Sequence, residues 1–376
     1  MNWKVPLADL DYDHHEEQAV LDVLRSRWLT MGEVSQKFEA AFAEQTRCKH
    51  AIAVSNATQA LHLACLAVGV RPGDEVIVPS LTFVATANAV LYCGADVRFA
   101  DVLSNDELTI DPLSIKSLIT PKTKAIIVMH YAGFPCQMEP ILELAQEHHL
   151  PIIEDAAHAP GASLNQIPLG AWGDIGCFSF FSNKNLSTGE GGMLTCSNDS
   201  LAEKIHLQRS HGMTSLTYDR HKGHAFSYDV VELGYNYRID EIHSSLGLQQ
   251  LAKLEHNNQR RREITYKYWH AFADTPLGLP FSKTMQGEPS FHIFPVLLPE
   301  KVQREAFMVN LRNAGIQSSI HYRPIHTFSY YREKYGDMNL PVTDAVARRE
   351  VTLPLFPTMT DEQINAVIET VKSLVE

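Results

Sequence analysis

Short apolar runs alternate with amphipathic segments through the first half of the chain. Apolar runs of roughly four to eight residues are typical of buried strands, and apolar residues three or four positions apart are typical of helices. Predicted strands cover residues 51–54, 75–78, 97–100, 125–129, 152–154 and 174–181, and predicted helices cover residues 13–27, 34–45, 82–91 and 138–148. Because helical crossovers bring successive strands side by side in one direction, this order predicts an α/β fold with a mainly parallel sheet.

The last third of the chain has a weaker pattern. Predicted helices cover residues 238–272, 301–314 and a terminal segment from Thr360, and predicted strands cover residues 291–298 and a segment from Ser319. Gly315 follows the second of these helices and is a typical residue for ending it. We therefore predict two domains, a large one over residues 1–250 and a smaller α+β domain over residues 251–376.

Composition narrows the possible functions. The formal net charge of -12 and a pI near 5.8 argue against a surface for nucleic acid or an anionic membrane. The six cysteines are dispersed and are expected to be reduced core thiols, and the eighteen histidines lack the spacing of a zinc site, so no metal is predicted. Residues 1–4 lack the features of a signal peptide and no apolar run is long enough to span a membrane. A cytoplasmic protein is expected.

Polar residues follow several predicted strands, and ligands of α/β proteins collect at the carboxyl ends of parallel strands. Ser55 or Asn56 can cap a helix that continues to Gly69. A phosphate at this helix start would receive hydrogen bonds from the Ala57 and Thr58 amides and the Thr58 hydroxyl. The alternative is a capped helix without a ligand.

A single lysine stands in the most unusual stretch, residues 178–193, where hydroxyls and glycines follow an apolar run. Lys184 should leave the end of a strand, and Gly189, Gly191 and Gly192 should let the backbone turn back. A partly desolvated lysine loses its proton more easily and can then attack a carbonyl to form a Schiff base. The alternative is a solvated lysine in a polar turn.

Two further residues have a functional and a structural interpretation. Asp155 follows a buried strand, where its carboxylate needs a cationic partner such as a protonated pyridine nitrogen; alternatively it caps the next segment. Phe83 either stacks on a planar ring or belongs to the core.

Six stretches in order along the chain resemble motifs of the DegT/DnrJ/EryC1/StrS family of pyridoxal-phosphate-dependent nucleotide-sugar aminotransferases. They are SRWLTMG at 26–32, SNATQAL at 55–61, PSLTF at 79–83, EDAAH at 154–158, FSFFSNK at 178–184 and GYNYR at 234–238. The resemblance implies the aspartate aminotransferase fold, with a large domain whose mainly parallel sheet lies between helices and a smaller α+β C-terminal domain.

The resemblance also implies roles for residues of this chain. Lys184 would bind pyridoxal phosphate covalently and move the proton at the donor Cα, and Asp155 would keep the pyridine nitrogen protonated. The other implied cofactor contacts are Phe83 on the ring, His158 near its phenolic oxygen, Ala57, Thr58 and Ser179 at the phosphate and, also at the phosphate, Asn236 of the partner subunit. A site shared in this way requires a homodimer.

The residues expected to contact the sugar are Trp28, Thr30, Met31, Asn185, Leu186, His321, Tyr322 and His326. Ala57 stands where the family usually has glycine, which is compatible only with a helical φ. Arg27 and Glu33 also depart from the family pattern beside the sugar.

These implications lead to one function and three alternatives. Lys184, where a deoxygenating branch of the family has histidine, favours transamination. We expect transfer of an amino group from L-glutamate, by way of pyridoxamine phosphate, to the 4-keto carbon of a nucleotide-linked 4-keto-6-deoxyhexose. The alternatives are amination of a C3-keto sugar, amination of a cyclitol, and a non-catalytic regulator that binds pyridoxal phosphate.

Overall fold

A mainly parallel sheet of seven strands lies at the centre of this computed structural model, which describes residues 3–214 and 227–375. In chain order the strands are β1 (His50–Val54), β2 (Glu75–Pro79), β3 (Asp96–Ala100), β4 (Thr123–Met129), β5 (Ile152–Asp155), a separate hairpin of β6 (Ser163–Leu164) and β7 (Ile167–Pro168), then β8 (Ile175–Ser179) and β9 (Gly192–Cys196). The order across the sheet is β1-β9-β8-β5-β4-β2-β3. The five strands from β8 to β3 are parallel, whereas β9 is antiparallel to both β1 and β8.

Helices cover both faces of this sheet. In chain order they are α1 (His14–Ser26), α2 (Glu33–Thr46), α3 (Ala57–Ala67), α4 (Ala85–Tyr92), α5 (Pro112–Leu118), α6 (Met138–His148), α7 (Asp199–Arg209) and α8 (Glu241–Phe272). Consecutive residues of β4 face opposite sides: Ile127 shares an apolar cluster with Leu61 of α3, and Ile126 shares another with Phe38 of α2. Because both faces are buried, the strands are continuous apolar runs, which is why the sequence reveals them.

Helix starts follow local capping chemistry. Asp13 caps α1 in a capping box with Glu16, and the Asn56 side chain accepts a hydrogen bond from the amide of Gln59 at the start of α3. Asp240 caps α8 through the amide of His243, so this helix begins three residues after the predicted position 238. Gly315 has φ +80°, which confirms it as the residue that ends the preceding helix.

Two predicted boundaries around the sheet are wrong. The helix predicted from residue 82 begins at Ala85, because the Ser80 amide still bonds to the carbonyl of Ala100 and keeps the chain beside β3. The strand predicted over 174–181 is β8, Ile175–Ser179. The antiparallel strand β9 was not predicted, because its glycine-rich start resembles a turn. A Cβ on Gly192 would lie 2.5 Å from the Asn56 backbone, so only glycine allows β9 this close to the start of α3.

The last third forms a second, two-stranded sheet with its own helices. They are α9 (Arg304–Asn313), α10 (Ser329–Tyr335), α11 (Pro341–Arg349) and α12 (Asp361–Val375), and the strands are β10 (Phe294–Leu297) and β11 (Glu350–Leu353), paired antiparallel. The helix predicted from residue 301 therefore starts at Arg304. The strand predicted from Ser319 is wrong: Ser319 makes one isolated bridge, to Thr352 of the unpredicted β11. The chain then leaves this sheet, and the Ile325 amide bonds to the carbonyl of Ser80, which follows β2.

The predicted domain boundary between residues 250 and 251 falls inside α8, which continues unbroken to Phe272. The division into domains stays a prediction. Among the helices of the described residues, none is both long and apolar enough to cross a membrane.

Candidate active site

A cavity of about 660 Å³ opens at the carboxyl ends of β4, β5 and β8 and at the start of α3. Met129, Asp155 and Ser179 are the last residues of these three strands, and each lines the cavity. The predicted site residues that line it are Ala57, Thr58, Phe83, Asp155, His158, Ser179, Lys184, His321 and Tyr322. Parallel strands that end at one edge bring these residues together although they are far apart in sequence.

The start of α3 presents backbone donors to the cavity. Asn56 has extended backbone angles and its side chain is occupied by the Gln59 amide, 3.0 Å away. Ala57 and Thr58 are the first two residues of the helix, where amides have no intrahelical acceptor. Ala57 is helical and has no positive φ, which confirms that alanine is accommodated without strain. An anion can therefore bind to these two amides.

Lys184 and Asp155 have environments that shift both of their pKa values. Burial lowers the pKa of Lys184 to about 8, although the charge of Asp155 opposes the shift. Burial raises the pKa of Asp155, while hydrogen bonds from Thr86 and Ala157 and the charge of Lys184 oppose this shift. The lysine is thus easier to deprotonate than a surface lysine, and the buried carboxylate favours a cationic ligand.

Thr86 supports Asp155 but was not predicted. Its hydroxyl donates a 2.7 Å hydrogen bond to Asp155 Oδ2, and the Ala157 amide donates one of 3.2 Å to Oδ1. Thr86 is the second residue of α4 and lies four positions after Thr82, and their hydroxyl oxygens are 3.0 Å apart. The signal in the sequence was this pair of threonines, one at the end of the PSLT stretch and the other four positions later.

His158 links the cavity to a backbone amide. The amide of Ala132, a residue with φ +57°, donates to His158 Nδ1 at 3.2 Å, and His158 Nε2 lies 2.8 Å from the Tyr322 hydroxyl. Burial and the charge of Lys184 hold the pKa of His158 well below its usual range, so the ring is neutral. Because Nδ1 accepts, the hydrogen is on Nε2 and is donated to Tyr322. The Tyr322 hydroxyl can then donate its own hydrogen to a ligand.

Three residues predicted to contact the sugar have side chains that are hydrogen-bonded or packed within the protein. The Asn185 amide group donates to Asn258 Oδ1 at 2.8 Å and to the Ser290 carbonyl at 2.7 Å. Leu186 is completely buried in the core. His326 is 5% exposed, with one ring nitrogen 2.7 Å from the Ser80 hydroxyl and the other 3.3 Å from Asp344. None of these three lines the cavity.

The other predicted residues lie outside the cavity of this chain. The segment with Trp28, Thr30 and Met31 is held against the start of α8, where Glu241 accepts the Gly32 amide at 2.8 Å. Thr30 is exposed and Met31 is buried. Asn236 is exposed, although Tyr237 beside it lines the cavity. Their predicted contacts stay predictions.

Further cavity residues escaped sequence analysis, and three of them carry buried polar atoms without a hydrogen-bond partner. These atoms are Gln59 Oε1, His62 Nε2 and Asn183 Oδ1. Gln59 and His62 lie on α3 just after the predicted phosphate site, and Asn183 precedes Lys184. Their closeness in sequence to predicted site residues was the signal that could have identified them. Phe83 is 58% exposed and lines the cavity, so its aromatic face is available to a planar ligand.

These features fit pyridoxal phosphate. Free amides suit its phosphate, a buried carboxylate suits its ring nitrogen, an exposed aromatic face suits the ring, and a lysine of lowered pKa suits its carbonyl. Among the described residues, the one group of histidine and acidic side chains close enough to share a metal is Asp13, His14 and His15, all exposed and outside the cavity.

Comparison with known proteins agrees with this chemistry. A sequence model of the DegT/DnrJ/EryC1/StrS aminotransferase family matches residues 11–372. The spore coat polysaccharide biosynthesis protein SpsC of Bacillus subtilis is 39% identical over 369 residues, 96% of this chain and 94% of that protein. PseC of Helicobacter pylori, an aminotransferase involved in the biosynthesis of pseudoaminic acid, has a TM-score of 0.92 and 31% identity over 99% of both chains.

A third relative was solved with the cofactor. Spr1654 of Streptococcus pneumoniae, a proposed sugar aminotransferase, has a PMP form with a TM-score of 0.93 and 29% identity over 99% of both chains. Its PLP form has a TM-score of 0.92 and 30% identity, covering 99% of this chain and 98% of that one. The family match covers nearly the whole chain, so this protein, a pyridoxal-phosphate-dependent sugar aminotransferase, belongs to the DegT/DnrJ/EryC1/StrS family.

Proposed function

We propose that the enzyme transfers the amino group of L-glutamate to the 4-keto carbon of a nucleotide-linked 4-keto-6-deoxyhexose. The observation that supports transamination most directly is the partly buried Lys184, whose pKa burial lowers to about 8, in one cavity with Asp155. The form of residues 26–32 supports carbon four, because it resembles the branch of the family that aminates this position.

Each part of the cofactor has proposed partners in the chain. The Ala57 and Thr58 amides and the Ser179 hydroxyl bind the phosphate, and Phe83 packs on the ring. Asp155 holds the proton on the ring nitrogen. When bound, pyridoxal phosphate supplies an electron sink for the electron pair left when the donor Cα loses its proton.

Lys184 and His158, which also line the cavity, complete the proposed machinery. The Lys184 amine accepts the proton from the donor Cα and returns it, as a general base and acid. His158, held neutral by burial, donates to Tyr322 and so directs the Tyr322 hydroxyl hydrogen toward the bound molecules.

The proposal includes a homodimer in which Asn236 of the partner subunit binds the phosphate. Asn236 is exposed and outside its own cavity, as a residue that serves a second copy must be. Exposed apolar side chains occur close by in sequence, at Val230, Val231 and Leu233, and clusters of this kind often mark contacts between subunits. The six cysteines are buried and unpaired, which supports the reducing conditions of the cytoplasm.

A panel of UDP-, GDP- and dTDP-linked 4-keto-6-deoxyhexoses offered with L-glutamate tests the substrate. We expect a clear preference for one sugar, and NMR of the product should locate the new nitrogen on carbon four. The Lys184→Ala variant is the control and should release no 2-oxoglutarate. Nitrogen on carbon three, or turnover only with cyclitol ketones, would overturn the carbon-four assignment. Cofactor binding without turnover of any keto sugar would instead indicate a regulator.

A further inference from the structure

A buried carboxylate behind the cavity wall is connected to His321 through Thr352. Glu350 Oε2 accepts a 2.8 Å hydrogen bond from the backbone amide of His321, and Glu350 Oε1 accepts one of 2.6 Å from the Thr352 hydroxyl. The Thr352 oxygen is in turn 2.8 Å from His321 Nδ1. Glu350 and Thr352 are each 1% exposed and neither lines the cavity. The three residues form a relay from a carboxylate to an imidazole.

The direction of the hydrogen bonds in this relay depends on whether Glu350 carries a proton. The His321 amide can only donate, so Glu350 Oε2 must accept. When Glu350 is ionised, Oε1 also accepts, so Thr352 donates to it and accepts from Nδ1–H of His321. When Glu350 is protonated at Oε1, that O–H donates to Thr352, and Thr352 donates to a bare Nδ1. A neutral imidazole carries one ring hydrogen, which is then on Nε2.

The second ring nitrogen of His321 is available to a ligand. His321 lines the cavity, and its Nε2 has no hydrogen-bond partner among the described residues. Nε2 is not among the fully buried polar atoms that lack a partner, so it is accessible from outside the protein. Burial and the charge of Lys184 lower the pKa of His321 to about 4, so the ring is neutral near pH 7. The tautomer therefore decides whether Nε2 offers a lone pair or an N–H.

We propose that Glu350 and Thr352 are positioning residues that set the tautomer of His321 and thereby the hydrogen-bonding character of Nε2 toward the sugar. Ionised Glu350 makes Nε2 an acceptor, and protonated Glu350 makes it a donor. A keto or phosphate oxygen can pair only with the donor form, whereas an amine hydrogen can pair only with the acceptor form. The role toward the sugar rests on the proposed function; the relay itself does not.

Several groups act on the Glu350 carboxylate from the surrounding elements. The positive charge of Arg304 in α9 lowers the pKa of Glu350. The negative charge of Glu350 in turn raises the pKa values of Tyr131 and Tyr322. The strand opposite, β10, contributes the apolar Leu297. Burial raises the pKa of Glu350 to about 8, against the hydrogen bonds from Thr352 and His321 and the charge of Arg304. Both forms of the relay are then populated within the usual range of assay buffers.

The tautomer can be measured directly in the cofactor-loaded enzyme without any sugar. In protein labelled with ¹⁵N-histidine, the protonated and bare ring nitrogens give well-separated signals, and His321→Asn identifies those of His321. We expect the hydrogen to move from Nε2 to Nδ1 as the pH rises through the ionisation of Glu350. In Glu350→Gln the amide NH₂ donates to Thr352, so the hydrogen should stay on Nε2 at every pH.

Substitutions of Thr352 test the relay while keeping the carboxylate. Thr352→Ser retains the hydroxyl and should follow the wild type, whereas Thr352→Val has nearly the same volume and should remove the pH dependence of the tautomer. This pair keeps the test decisive if Glu350→Gln fails to fold. A wild-type tautomer that does not change between about pH 6 and 10 would overturn the proposal, as would a Thr352→Val variant that titrates like the wild type.

Kinetics then tests the role toward the sugar. The part of the pH dependence of KM for the keto sugar that comes from Glu350 should be about two- to ten-fold, the size expected for one hydrogen bond. This part should be absent from Glu350→Gln, in which Lys184 still titrates. A tautomer that shifts while KM does not would refute contact between Nε2 and the sugar. If no sugar is a substrate at all, the proposed function fails while the NMR result on the relay stands.

Discussion

Lys184 and Asn185 are neighbours in the chain whose side chains have opposite surroundings. Lys184 lines the cavity, whereas Asn185 is 5% exposed and hydrogen-bonded to Asn258, Ser290 and His292. Asn258 lies on α8 and also donates to the Pro160 carbonyl at 2.9 Å. The amide of Asn185 therefore ties the lysine loop to α8, and we infer that it holds Lys184 at the strand end.

Replacing Asn185 with alanine should lower stability more than it alters sugar recognition. The change leaves the buried partners without hydrogen bonds, which we expect to cost about 1–3 kcal/mol of the free energy of unfolding. Denaturant unfolding of the cofactor-loaded protein measures this loss. Asn258→Ala should have a similar effect, and the double variant should lose less than the sum, because the two side chains share one hydrogen bond. Full stability of Asn185→Ala with a raised KM for the sugar would instead make Asn185 a substrate contact.

Asp155 and Thr86 should affect catalysis by different amounts. Asp155→Asn removes the charge that stabilises a protonated ring nitrogen, and we expect activity to fall on the order of a hundredfold or more. Thr86→Val removes one hydrogen bond to the carboxylate, so the pKa of Asp155 should rise further and kcat/KM should fall on the order of ten-fold.

The pH profile separates these effects from a general disturbance of the site. Because a raised pKa means that the carboxylate is protonated earlier as the pH falls, the acid limb of kcat/KM in Thr86→Val should move to higher pH. Thr86→Ser, which keeps the hydroxyl, is the matched control and should retain the wild-type limb. A uniform loss of activity with an unchanged limb would contradict a role for Thr86 through Asp155.

Lys184 should react as a neutral amine at lower pH than other lysines. Its pKa is lowered to about 8 by burial, against an ordinary value of 10.5. In cofactor-free protein, reductive alkylation with a small uncharged aldehyde should therefore accelerate up to about pH 8 and then level off. Mass spectrometry of the peptide containing Lys184 measures the rate, and surface lysines in the same digest are the control.

The Asp155→Asn variant tests whether the charge of Asp155 raises the pKa of Lys184. The negative charge of Asp155 favours the ammonium form and raises the pKa of Lys184, so removing the charge should move the plateau to lower pH. A rate that keeps rising to about pH 10 would show that Lys184 is a solvated lysine. Separately, borohydride treatment of the loaded enzyme should attach the cofactor permanently to Lys184.

Local chemistry made much of the fold predictable. Buried parallel strands are short apolar runs, and caps such as Asp13 and Asn56 act on amides two or three residues away, so a single stretch of sequence contains the whole signal. Lys184, Asp155 and Thr58, which the motifs singled out, line one cavity because parallel strands end at one edge of the sheet.

Side-chain direction was decided by contacts distant in sequence. Along β5, Asp155 faces the cavity, whereas Glu154 accepts the amides of Gly170, Trp172 and Gly173. His326, a plausible sugar contact by its position in the loop, is hydrogen-bonded to Ser80, 246 residues away. No local pattern contains such partners.

The sequence by itself therefore determined the fold class, which depends on short-range periodicity, and the family, through six motif stretches that resemble those of its members. Only the tertiary structure decided that Thr86 binds Asp155, that Asn185 binds Asn258 and that Glu350 binds the His321 amide. Each of these hydrogen bonds joins residues 29 to 73 positions apart, and a buried polar group takes whichever partner the packed chain brings within about 3 Å.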